Sequence, residues 1–89
     1  MEKIIAAAIS YPVNDIISCI DSGERHNEIY EGLYKSYGSQ LPEDLIEGFL
    51  TNTGRFVDRY EAKEIAVAAN QLIVPIEETY AELYSEDVW

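Results

Sequence analysis

GFLTNTGRFVDRYEAKEIA, residues 48–66, decides how the rest of the chain is read. Gly48-Phe49-Leu50-Thr51 and Arg55-Phe56-Val57 are short strand-like runs around Asn52-Thr53-Gly54. Gly54 supplies the positive φ that a tight hairpin loop needs. Asp58, with Glu61 three residues on, is an acidic form of the capping box, so a helix is expected to start there. Ala62, Ile65, Ala66, Ala69 and Leu72 then make one apolar stripe at helical spacing. Its alanines call for close packing on a sheet or another helix, and Pro75 is expected to stop it.

Upstream, Ile4-Ile5-Ala6-Ala7-Ala8-Ile9 is apolar at every position, the pattern of a short strand buried on two sides. Pro12-Val13-Asn14-Asp15 reads as a turn, and Ile16–Ile20 as a second strand ended by Asp21-Ser22-Gly23. A helix follows, with Asn27 as its expected N-cap, Ile29, Leu33 and Tyr37 on one face, and Gly38 at its end. Residues 39–47 read as a polar loop in which Pro42 starts a helical turn. From about Ile76 the tail is acidic and base-free, with Ile76, Tyr80, Leu83 and Tyr84 on one helical face. The expected architecture is α+β: a small single domain over residues 1–89, antiparallel β-hairpins packed against two helices, with an acidic C-terminal tail.

Six bases against seventeen acids in 89 residues give a net charge of −11. That excludes a general nucleic-acid binder, which needs clustered Lys and Arg to displace counterions from phosphates. Two classes survive: an acidic mimic acting as a protein inhibitor, and a binder of something small at a local exception to the charge. The apolar opening is too short for a membrane span, and no signal peptide is recognised. One cysteine, Cys19, permits no internal disulfide, and with one histidine, His26, a metal site has no support. Cys19 reads as a buried inert thiol. A core this small gains from association with further copies.

All three arginines fall at two element junctions, Arg25 beside His26 and the pair Arg55 and Arg59 flanking Phe56. Arginines beside helix starts are candidates for a phosphate-sized ligand. The plainer alternative pairs them with Asp58 or Glu61 as surface ion pairs. Phe56 is a stacking platform for a base or one more inward strand residue. His26 caps a helix, sits in the core or meets a ligand. Tyr30, Tyr34 and Tyr37 fit core or interface better than a pocket.

The run Gly48–Arg59 with Glu61-Ala62 and Ile65-Ala66, the opening Lys3–Ile9, the pair Arg25-His26 and the ending Leu83–Trp89 together resemble the phage Thoeris anti-defence sponge proteins. The resemblance spans most of the chain. It implies a phage protein, acting in the cytoplasm of the infected bacterial host, that binds and sequesters a cyclic nucleotide immune signal without degrading it. The signal would be cyclised ADP-ribose made by a TIR enzyme, or a cyclic oligonucleotide. It also implies no enzymatic activity, no cofactor, and a homo-oligomer, a dimer or larger. Carried over, the ligand-binding positions are Arg25, His26, Arg55, Phe56 and Arg59. The chain departs from the pattern at Ala69-Asn70-Gln71, where relatives have Ala-Gly-Gln. Asn70 there either ends the helix or faces the ligand. Glu24 stands where a basic or small residue is usual, which weakens anion binding beside Arg25.

Overall fold

The computed structural model describes residues 1–14, 16 and 18–89. Strands β1 (Ile4–Pro12), β2 (Ser18–Gly23), β3 (Ile46–Thr51) and β4 (Phe56–Asp58) form one sheet in the order β2-β1-β3-β4. All three pairings are antiparallel. Helix α1 (His26–Tyr37) joins β2 to β3, and helix α2 (Arg59–Ala68) follows β4 directly. The α+β architecture expected from the sequence is the one observed.

Cross-strand partners share a face, so the pairing sorts the sheet into two sides. Ile4, Ala7, Ile9 and Tyr11 of β1, Phe49 of β3 and Val57 of β4 join the core. Against them pack Ile29 and Leu33 of α1, Ala62 and Ala66 of α2, and Leu83 and Val88 of the tail. The opposite side carries Ala6, Ala8, Ser10, Ile20, Ser22, Ile46, Gly48, Leu50 and Phe56. The two-sided burial that the apolar run of β1 implied holds at its centre, where Ala8 is 0% exposed, and fails at Ile5, which is 55% exposed, while Ile20 and Ile46 on the flanking strands are also exposed. Small residues floor this side, and Phe56 lies across Gly48.

The strand limits differ from the sequence reading. Pro12 ends β1 opposite Ser18 instead of opening the turn, an allowed place for a residue without an N–H. Asp21-Ser22-Gly23 belongs to β2, because Ile9, Ala8 and Ala7 extend the ladder to meet it. Of the expected turn and second strand, Asp15 and Ile17 lie outside the described residues. Helix α1 starts at His26, with Arg25 in extended conformation as N-cap and no side-chain cap, two residues earlier than an Asn27 cap would give. Gly38 does end it, at φ 59, donating to Tyr34 O. The helical turn after it is a 3-10 turn at Gly38–Gln40, before Pro42 and not from it. Ile46 and Glu47 belong to β3, not to a loop.

Asp58 caps α2 as read, its carboxylate accepting the Glu61 N–H at 2.8 Å. The helix stops at Ala68, well short of Pro75. Asn70 takes φ 56, its N–H reaching Val67 O at 3.1 Å while Gln71 N–H reaches Ala66 O at 2.9 Å. Those two bonds are a Schellman ending, in which asparagine replaces the usual glycine. The tail is not a helix: short 3-10 turns at Ile76–Glu78 and Ser85–Asp87 flank a strap whose Leu83 is wholly buried.

Gly48 has no room for a side chain. A Cβ there would collide with the Val57 carbonyl oxygen and stand 2.7 Å from the Phe56 ring. Gly48→Ala is expected to cost about 2 kcal/mol or more, read as a lower urea midpoint at unchanged m-value.

Candidate functional site

Each arginine of the sequence reading ends on a different partner. Arg59, at the first position of α2, is only 14% exposed in its side chain. Its Nη2 meets the Glu47 carboxylate and its Nη1 donates to the Leu83 carbonyl at 2.6 Å. Its guanidinium carbon lies 4.7 Å from the Tyr84 ring centre, within cation–π range. Arg25 donates from Nη2 to the Trp89 carbonyl at 2.5 Å. Its Nη1 is buried without an acceptor, alone in this among the side-chain polar atoms of the described residues. Arg55 lies apart, half exposed, its guanidinium held between Glu2 at 2.8 Å and Glu61 at 2.7 Å.

His26 and Arg59 therefore meet at Glu47–Phe49 of β3, Arg59 and Arg25 hold the tail at Leu83 and Trp89, and Arg55 and Phe56 do not join them. Phe56 faces the open side of the sheet, as strand alternation requires of a residue paired with Leu50. Asn70 sits at the α2 ending. The ion pairs that the sequence offered as the plainer alternative do form at Arg55, with Glu61 as one partner and Glu2 as the other.

His26 is buried, its Nε2–H placed to donate to the Gly48 carbonyl at 2.8 Å and its ring edge-on to Phe49 at 5.1 Å. Burial holds its pKa below the ordinary 6.5, outweighing the Gly48 hydrogen bond. Burial also pushes Glu47 upward, but the hydroxyl of Tyr30 at 2.7 Å and the Arg59 guanidinium reverse this and leave its carboxyl below the usual range. Burial first, and then the bond to Glu47, push Tyr30 up to about 12. Glu2 is drawn down to about 2, chiefly by Arg55.

Sequence reasoning missed four residues that build this region. Glu47 was grouped with the solvated acids of the loop, yet it holds Tyr30 and Arg59. Lys63 of α2 caps Thr79 Oγ1 and the Tyr80 carbonyl of the strap. The Gln71 amide clamps β1, accepting the Ile4 N–H at 2.8 Å and donating to the Ile4 carbonyl at 2.7 Å. Trp89 donates its indole N–H to the Glu24 carbonyl at 2.6 Å. Beside Trp89 lies a cavity of about 440 Å3, lined by Ile5, Ala6, Gly23, Glu24, Arg25 and Trp89.

Among the described residues, no group of three His, Cys, Asp or Glu side chains is placed to hold a metal ion, and no helix is long and apolar enough to cross a membrane. Residues 3–89 match the family model described as the phage T4 y16D protein. The chain belongs to that phage protein family. Comparison with curated proteins and with solved structures gives no match.

Two outcomes follow for this region. Arg59→Ala takes the donor from the Leu83 carbonyl and leaves Glu47 with the Tyr30 hydroxyl alone, and is expected to destabilise by about 2 kcal/mol, seen in urea unfolding. The unfolded chain protonates its histidine near 6.5, whereas the folded chain resists until lower pH. The His26 contribution is therefore complete above that value and drains away as pH falls through it. Between pH 7.5 and 5.5 the wild type should lose more stability than His26→Gln, the difference isolating this residue from the common carboxylate background.

Proposed function

We propose that this phage protein sequesters a cyclic nucleotide signal, of cyclised ADP-ribose or cyclic oligonucleotide type, in the cytoplasm of the infected host and does not degrade it. The observation that carries the reading is the pair Arg25 and Arg59. In a chain of net charge −11, both present guanidinium groups along one strap, Leu83–Trp89. Arg25 also keeps a buried Nη1 without an acceptor. The Leu83 carbonyl is a neutral acceptor, and a phosphate oxygen makes a stronger, charge-assisted bond to the same Arg59 donor, which would then be shared with Glu47.

A binding role without chemistry is supported by the state of the histidine. The chain's one imidazole is in the core with Nε2 on a backbone carbonyl, a poor position for a general base. Sequestration then works by mass action, holding free signal below what its effector requires. Assembly into a homo-oligomer is supported by the open side of the sheet. Its residues are apolar or small, and the one acid among them is Asp58 at the corner. Arg55 is assigned a phosphate of the ligand on the resemblance, and Phe56 a base. To reach a phosphate, Arg55 must leave Glu2 or Glu61 and Arg59 must share its guanidinium with Glu47, which leaves Arg25 the strongest of these assignments.

Native mass spectrometry with and without cyclised ADP-ribose tests this. The expected result is an oligomer that takes up the compound and releases it chemically intact after heating. Arg25→Gln should lower uptake at least tenfold at unchanged circular dichroism. A monomer that takes up nothing would sink the proposal, and recovery of hydrolysed product would make the protein an enzyme. Salt-sensitive capture of a basic host protein, with no small molecule bound, would favour the acidic mimic instead.

A further inference from the structure

The cavity of about 440 Å3 at the β2–α1 junction has walls of three kinds. Ile5, Ala6 and the Trp89 ring are apolar. Trp89 is held at its ring by the indole N–H on Glu24 O at 2.6 Å and at its backbone by Arg25 Nη2 on its oxygen at 2.5 Å. With its one N–H spent, the indole has only its π surface left to offer a ligand. Arg25 lines the cavity with a guanidinium whose Nη2 is on the Trp89 oxygen and whose Nη1, closed to solvent and lacking an acceptor, reaches a ligand only as the guanidinium turns. Glu24 brings a carboxylate, and among the described residues no ion pair joins it to Arg25 or to any other base.

A bare phosphate uses this set poorly. It would satisfy Arg25, be repelled by Glu24, and leave Trp89 without a role. A flat ring with acceptors along one edge and N–H donors along the next uses all three. Guanine has that arrangement: O6 and N7 accept from a guanidinium, while N1–H and the N2 amino group donate to a carboxylate. Adenine offers an acceptor edge but would set its N1 lone pair against Glu24. Pyrimidines offer less surface to the indole. The volume is within the range of small-ligand sites.

We propose that this cavity is a purine-base pocket with a preference for guanine, in which Trp89 is the stacking platform, Arg25 the donor to the base edge and Glu24 the acceptor that selects guanine. The acid that weakens an anion site beside Arg25 is then the specificity determinant of a base site. The proposal deepens the nucleotide reading by naming the base such a signal would place here, and it rests on that reading only for its biological context.

Trp89 is the one tryptophan in the chain, so its fluorescence reports on the pocket directly. The test is titration with GMP, AMP, CMP and ribose 5-phosphate, followed by fluorescence and by equilibrium dialysis. GMP should quench Trp89 saturably and bind at least tenfold tighter than CMP, and ribose 5-phosphate should neither quench nor compete. Glu24→Gln should weaken GMP about tenfold and leave AMP unchanged. Trp89→Phe, which keeps a ring, should retain the fold and weakened GMP binding by dialysis, while Trp89→Ala should lose tenfold or more. The proposal is overturned if GMP shows no saturable binding up to about 10 mM, if CMP or ribose 5-phosphate binds as well as GMP, or if Glu24→Gln leaves the GMP-to-AMP ratio unchanged. Retention of cyclised ADP-ribose without GMP binding would remove the base pocket and leave sequestration standing. GMP binding without retention would do the reverse.

Discussion

The guanidinium of Arg59 is the joint on which the rest of the structure turns. It begins α2, grips Glu47 of β3, holds the Leu83 carbonyl of the tail and lies against the Tyr84 ring. One side chain thus ties helix, sheet and tail together, and Glu47 relays the tie to α1 through Tyr30. Such a mostly buried charge is tolerable because a carboxylate, a carbonyl and a π face surround it. The backbone agrees with the side chain, since the Leu83 N–H also bonds the Arg59 carbonyl at 2.9 Å. Leu83 can enter the core only with the strap in this place, so the polar joint and the apolar plug require each other.

Elements written in short-range chemistry were legible. Asp58 with Glu61 announced the α2 start, Gly54 the hairpin, at φ 83, and Gly38 the α1 end. The apolar stripe of α2 was also readable, since Ala62 and Ala66 do pack on the core. The α2 ending was missed because Pro75 is a louder signal than Asn70, although asparagine tolerates positive φ better than most residues. The tail was misread for another reason. The Tyr80, Leu83, Tyr84 spacing fits a helix, but the carbonyls of residues 80 and 83 are taken by Lys63 and Arg59. Tertiary partners replaced the bonds that a helix would have made internally.

The candidate site was legible in its residue types and not in its grouping. His26 and Arg59 meet over Glu47–Phe49 of β3, and Arg25 and Arg59 share the strap only because the tail folds back, which no local spacing records. Arg55 and Phe56 look like part of the same cluster in the string, but strand alternation sends Phe56 to the open face, and Glu2 at the far end of the chain draws Arg55 aside. Glu47 looked like one acid among seventeen. What distinguishes it is its place on the inward side of β3, a property of sheet register. The net charge describes the solvated surface, and the basic side chains work against it at the points where the chain closes on itself.

The clamps that finish the molecule join residues far apart in sequence. Gln71 to Ile4 spans 67 positions, Trp89 to Glu24 spans 65, and Arg25 to Trp89 spans 64. Contacts of such separation must close long loops before they return any stabilisation, and topologies rich in them fold slowly. The sheet and helices can assemble while the strap is still loose, but one wall of the cavity cannot exist until the last residues have docked. During synthesis, then, Arg25 and Arg59 gain their tail partners last, and a nascent chain short of Leu83 has a core without its plug.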